Sequence, residues 1–347
     1  LLDASALAAT ARSILEMMEP SGAIPWSPGE HTDIWNHVEA AMALMVAGEY
    51  DAAERAYAWA ASMQRTDGSM PLKIVAGEVE DPSGDTNISA YLAVGLWQHW
   101  LIRQDMVFVG EYWATVRRAL DWVCGMQLDW GGIAWSQERT PSGPGKVNRE
   151  ALLAGSSSIH HSLQAGLALA ELIGEPQPEW RRTGERLVHA LRHHRDLFLD
   201  KSTFSMDWYY PVLGGAVRGP EGAELLASRW ADFVAPGLGV RCVDTNPWVT
   251  GAETCELVLA LHALGDDARA RELWGDVQHL RTAEGSYWTG VVFPEMVNWP
   301  VEQTTYTAAA VILAADALDE LTPGCSIMDG EGWAVAFGEA AQGCGCS

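Results

Sequence analysis

Carboxylates and aromatic rings recur together in a few short stretches of this 347-residue chain. Asp33, Trp35, His37 and Glu39 form one such group. Asp85 follows a Pro-Ser-Gly turn, and Trp135 precedes Glu138. Asp207, Trp208 and Tyr209 are consecutive. Asp244, Trp248 and Glu253 form another group, and Glu295, Trp299 and Glu302 the last. Two carboxyls facing each other across a pocket can open an acetal: one protonates the leaving oxygen, the other activates water or attacks the carbon. Flat indoles stack on apolar C–H faces, while carboxylates and amides bind a rim of hydroxyls. The 17 tryptophans exceed what a helical core requires. The competing account makes each tryptophan a filler and each aspartate a helix cap.

The elements that would position these residues follow from periodicity. Apolar residues recur at three- and four-residue spacing in about eleven segments, and long strand patterns are absent. Several helices close with the same text. Met63-Gln64-Arg65-Thr66-Asp67-Gly68-Ser69 is one copy, Met126-Gln127 to Gly131-Gly132 another, and Leu280 to Gly285-Ser286 a third, with weaker copies near Gly22 and Gly239. After each turn a loop leads to a helix with a polar and aromatic first turn. Six such openings are expected: His31–Trp35, Asp85–Asn87, Gly155–Ser158, Met206–Tyr209, Asp244–Trp248 and Val297–Pro300. Ser, Thr, Asp and Asn suit helix N-termini, and Pro247 and Pro300 fit a first helical turn.

Each apolar helix is followed by a second one with a single wet face. The pattern predicts an all-α fold, an (α/α)6 toroid of six hairpins with short extended turns, closed by packing of helix 3–18 near helix 301–319. Residues 1–320 are expected to form one domain, and residues 321–347 a Gly- and Cys-rich tail that straps or frays. The six inner helices would start at one end, so the loops before them would line one funnel. Glu138, before the third inner helix, and Glu295, before the sixth, are then opposed and become the candidate acid and base, with Glu302 the reserve base. Trp135 and Trp299 could raise the proton affinity of one carboxyl. The candidate substrate-binding residues are Asp33, Trp35, His37, Glu39, Asp85, Trp135, Asp207, Trp208, Tyr209, Asp244, Trp248, Glu253 and Trp299.

The formal charge of −24 argues against nucleic acid, anionic membranes and a highly phosphorylated substrate. No apolar run approaches the roughly 18 residues of a membrane span. Leu1–Arg12 lacks the text of a leader. The six cysteines show neither paired metal knuckles nor disulfide spacing, which points to a reducing, cytoplasmic setting. No metal and no cofactor are expected. His160 and His161 are neighbours on a helix and diverge by about 100°, and Cys344 and Cys346 close the tail. The expected partner is a small-molecule or oligosaccharide substrate, and the oligomeric state is unknown from sequence.

The motif order resembles the glucoamylase-type inverting glycoside hydrolases over about residues 30–318. Trp35-Asn36-His37-Val38-Glu39 is similar to their early inner-helix segment, and Trp135-Ser136-Gln137-Glu138 with Gly155-Ser156-Ser157-Ser158 to the segment holding the general acid. Gly251-Ala252-Glu253 looks like the fifth hairpin. Pro294-Glu295 with Thr304-Thr305-Tyr306 resembles the loop holding the general base. The resemblance implies cleavage of a glycosidic bond by inversion. The sequence departs at Asn36-His37, where that family carries a sugar-gripping Arg-Asp pair.

A second resemblance, carried by the Gln-x-x-x-Gly-Ser turns, is to terpene cyclase and prenyltransferase toroids and to actinobacterial proteins labelled prenyltransferase. It implies an isoprenoid substrate. The Asp-rich runs such chemistry uses are absent, and Asp244, Cys255 and His262 have the residue types but not the spacing of a zinc site. A carbohydrate-binding protein without catalysis is the third reading.

Overall fold

A computed structural model of the protein describes residues 1–330 and Phe337. Helices α1 (Ala4–Met17), α2 (Ile34–Val46) and α3 (Tyr50–Ser62) come first, followed by α4 (Thr86–Ala90), α5 (Leu92–Arg103) and α6 (Met106–Gly125). Then come α7 (Leu153–Ile173), α8 (Pro178–His193), α9 (Ser205–Leu213), α10 (Gly219–Ser228) and α11 (Trp230–Phe233). The last are α12 (Gly251–His262), α13 (Asp267–Asp276) and α14 (Thr305–Asp319). Helices α2, α5, α7, α9, α12 and α14 pack side by side in that order, and α14 returns to α2, closing a ring. Outside them, α3, α6, α8, α10 and α13 each cover the inner helix that precedes them, and α1 covers α14. Inner helices are enclosed and apolar all round: every residue of α14 from Thr305 to Leu318 is buried. Outer helices keep one wet face.

The repeated turns are joints between neighbouring outer helices. The Gln64 amide donates to the carbonyls of Gly68 (3.2 Å) and Thr115 (2.8 Å), and Arg118 of α6 donates back to its oxygen. Gln127 repeats this with Gly131 and Thr183, and Arg186 of α8 answers it. Gly68 has φ +97°, and a Cβ there would lie 2.0 Å from the Arg118 carbonyl oxygen. Gly131, at φ +103°, meets the Arg186 carbonyl in the same way. The repeated Gln-and-Gly turn is therefore a structural clamp.

Two small sheets correct the expectation of mere extended turns. Strands β1 (Pro71–Val75), β2 (Glu78–Asp85), β3 (Ser136–Thr140) and β4 (Gly143–Asn148) form an antiparallel sheet in chain order. Strands β5 (Val234–Ala235), β6 (Gly239–Arg241), β7 (Trp248–Thr250), β8 (Gly290–Val292) and β9 (Val297–Asn298) form the second. β2 reads Glu-Val-Glu-Asp-Pro-Ser-Gly-Asp, without apolar alternation, and is invisible to pattern reading. The strands also delay two helix openings. Trp248–Thr250 pairs with β6 and β8, so α12 starts at Gly251, and α14 starts at Thr305. Pro247 and Pro300 accordingly lie outside the first helical turns.

Residues 320–330 fold back across the base of the ring. Cys325–Ile327 forms a 3₁₀ turn, the Ile327 carbonyl bonds the His161 ring at 2.7 Å, and Phe337 packs on Gly184. Cys344 and Cys346 lie outside the described residues. No helix of the described residues is long and apolar enough to cross a membrane.

Candidate active site

Helix capping places the first two carboxylates. Asp33 precedes α2 and accepts from the Asn36 backbone N–H (2.9 Å) and side-chain amide (2.6 Å). Asp85 precedes α4 and accepts from the Ile88 N–H at 2.9 Å and from the Trp135 indole N–H at 2.8 Å. The capping bonds thus hold each carboxylate at the end of the ring where the inner helices start. Burial pushes Asp85 up to about 6 in spite of its donors.

Glu253 occupies the first turn of α12, half-buried, beside the Cys242 thiol. Burial, reinforced by the Glu253 charge, raises that thiol far above its ordinary range. In the ring order the broken inner helix α4–α5 and α12 are three places apart and therefore opposed. Glu302 accepts from the Trp26 indole (3.1 Å) and the Thr289 hydroxyl (3.2 Å). Trp26 in turn stacks on His31 and tilts against Tyr306.

Below these groups the Trp35 ring stacks on Tyr91 at 4.6 Å, meets Tyr306 edge-on and donates to Ser158. An enclosed axial cavity follows, lined by Trp35, Tyr91, Glu39, Tyr210, Glu256 and Met328 among others. Tyr91 donates to Glu39 at 2.8 Å. Tyr209, Tyr210 and Tyr306 all donate to Glu256. Burial pushes both carboxyls well above the ordinary glutamate range, and a neighbouring negative charge adds to it: Glu256 acts on Glu39, and Glu253 on Glu256. Glu256 was not among the sequence candidates. Its signal was a lone glutamate in the apolar run of α12, three residues past Glu253.

Several expected site residues point elsewhere. His37 is fully buried between α2 and α3, bonded to Ile24 and Ala56, and burial holds it down to about 4. Trp208 stacks on Phe233 and donates to the Leu225 carbonyl, and Asp207 lines the same outer groove beside Arg195 and Lys201. Asp244 forms an ion pair with Arg229 at 2.6 Å on an outer surface. Glu138 on β3 and Glu295 in the β8–β9 loop are both exposed, and neither lines the axial cavity. No hydrogen bond or ion pair joins them among the described residues. Trp248 and Trp299 meet edge-on at 4.9 Å on the second sheet. His160 and His161 diverge as expected, to Gly214 and Ile327. Other tryptophans are packing groups: Trp113 and Trp180 face each other between α6 and α8 and bond Glu175 and Asp121.

The chain is 53% identical over 321 residues, 92% of its length and 88% of the relative's, to a protein of Mycolicibacterium hassiacum named MMP endo-(1,4)-3-O-methyl-alpha-D-mannosidase. This chain belongs to the glycoside hydrolase family of that mannosidase. No protein-family model matches it. A wild-type glycosidase structure superposes with TM-score 0.69 at 15% identity, over 94% of this chain and all (100%) of that one. A D-mannose isomerase superposes with TM-score 0.69 at 10% identity, over 89% and 96%. At those identities the structures share the ring and nothing finer. Family membership favours cleavage of a glycosidic bond over the isoprenoid and non-catalytic readings, and the ring is the one the repeat implied.

Proposed function

We propose that this glycoside hydrolase cleaves an internal 1,4-linkage of a 3-O-methyl-α-D-mannosyl chain by inversion, with Asp85 as general acid and Glu253 as general base. The relationship to the named mannosidase over nearly the whole chain carries the substrate class. Asp85 and Glu253 project from opposed positions of the ring, which is what two-sided attack on an anomeric carbon requires. The Asp85 carboxyl gives its proton to the glycosidic oxygen as the C1–O bond breaks. Water adds to C1 from the opposite face and loses a proton to Glu253. The new reducing end is then a β-hemiacetal, and no covalent enzyme intermediate forms. Asp33 and Glu302 flank the pair and bind hydroxyls, and Trp35 provides the floor. The catalytic unit is the ring, residues 1–320.

The test is proton NMR of a 3-O-methylated α-(1→4)-mannotetraose during turnover. Wild type should release the β-anomer first. Asp85→Asn and Glu253→Gln should each lower kcat by about 10²–10⁴-fold. An α-anomer as first product, or full turnover in either variant, overturns the assignment.

A further inference from the structure

Four of the eleven exposed large hydrophobic side chains among the described residues fall within one short stretch. They are Met296 (46% exposed), Val297 (57%), Trp299 (54%) and Val301 (81%). Single exposed apolar residues are ordinary, but a contiguous apolar patch marks a contact surface. This one is also held rigid. The Trp299 N–H donates to the Gly290 carbonyl at 3.0 Å, and the Trp299 carbonyl accepts from the Trp248 indole N–H at 2.7 Å.

The same strand ties the patch to the catalytic end of the ring. Thr289, next to Gly290, donates from both its N–H and its hydroxyl to Glu302. On the other side β7, which carries Trp248, runs directly into α12 and Glu253. The apolar shelf therefore adjoins Glu302 and the start of α12. An unsubstituted mannan presents hydroxyls around each ring and gains little from aliphatic neighbours. A 3-O-methyl ether replaces a hydroxyl with a methyl group, which Val301, Val297 and Met296 can remove from water beside the indole face.

We infer that the Trp248–Trp299 shelf is a distal subsite that selects methyl ethers on sugars of the chain outside the cleaved linkage. This rests on the substrate class proposed above. It makes the shelf, and not the carboxylates, the source of preference for methylated over bare chains.

Binding separates the two ideas, because it does not depend on turnover. Isothermal titration would use 3-O-methylated and unmethylated α-(1→4)-mannotetraose with wild type, Trp299→Ala and Val301→Ser, each carrying Asp85→Asn so that the probes are not consumed. Burying one methyl is worth roughly fourfold in affinity, so wild type should prefer the methylated probe by at least that factor. Trp299→Ala should weaken the methylated probe by about tenfold. Val301→Ser, a small change at a fully wet position, should remove the preference while leaving the bare probe unchanged. Equal weakening of both probes, no effect of either variant, or no preference in wild type overturns the subsite. Dimerisation abolished by Trp299→Ala without any glycan effect would reassign the shelf to a second copy of the chain. If the preference is present but the enzyme with Asp85 intact cleaves neither probe, the hydrolytic assignment fails and the subsite stands.

Discussion

The Tyr306 hydroxyl of α14 donates to Glu256 of the neighbouring α12 at 2.8 Å, beneath the floor of the pocket. Tyr210 reaches the same carboxyl from α9 at 2.6 Å. Three consecutive inner helices are thus pinned to one buried acid, and the Tyr306 ring also supports Trp35 and Trp26. Tyr306→Phe keeps the ring contacts and removes one donor to a buried acid, so it should cost about 1.5–3 kcal/mol. Denaturant unfolding at pH 8 checks this, and the intrinsic tryptophan fluorescence of the folded protein should change little.

Glu39 and Glu256 also set a pH dependence. Burial raises both above the ordinary glutamate value of 4.5, so the folded protein holds protons that the unfolded chain has released. Their contribution to stability is complete below that value and is lost as pH rises through the folded values in the neutral range. Glu39→Gln removes one of the two acids and can still accept from Tyr91. Its melting temperature should be near that of wild type at pH 5 and above it at pH 8. A variant less stable than wild type at both pH values would show that the pair is not strained by ionisation.

Asp85 allows a clean separation of cap from catalyst. Asparagine is as good an N-cap as aspartate, so Asp85→Asn should fold with α4 intact while losing the proton donor. In wild type, kcat/KM should fall as pH rises above about 6, the value to which burial moves Asp85. A profile with no limb in that range would exclude Asp85 as the free enzyme's acid.

Exposure makes the opposite forecast for Glu138 and Glu295. Glu138→Gln and Glu295→Gln should keep turnover within about twofold of wild type, since neither exchange touches a buried or paired group. A thousandfold loss in either would return the chemistry to the loops.

The turn clamps should report on stability alone. Gly68→Ala places a Cβ against the Arg118 carbonyl at a positive φ and should cost about 3 kcal/mol. Gln127→Ala removes two donated bonds and one accepted bond and should cost about 1–3 kcal/mol. Urea midpoints should fall in both while kcat of the folded fraction is unchanged.

What was legible in the sequence is what local physics writes there. The six hairpins follow from helical periodicity. Gly68 and Gly131 announce close backbone approaches, and Asp33, Asp85 and Thr304 cap the helices they precede. Those same caps set Asp33 and Asp85 at the end of the ring where the inner helices begin.

Only the tertiary structure decided which side of each inner helix faces the axis. A helix apolar all round carries no stripe to mark its rotation. Trp208 therefore turned outward onto α10 and Asp207 toward the Ala154 N–H at the start of α7, while Tyr209 and Tyr210 turned inward to Glu256, though all four are consecutive. His37 went to the outer helix and Glu39, two residues on, to the cavity. Depth was hidden for the same reason: Glu253 and Glu256 are both glutamates of α12, yet one reaches the mouth and the other is sealed among tyrosines. Ring closure fixes that rotation by packing two adjacent inner helices and an outer helix against each one at once, a constraint that no single segment contains.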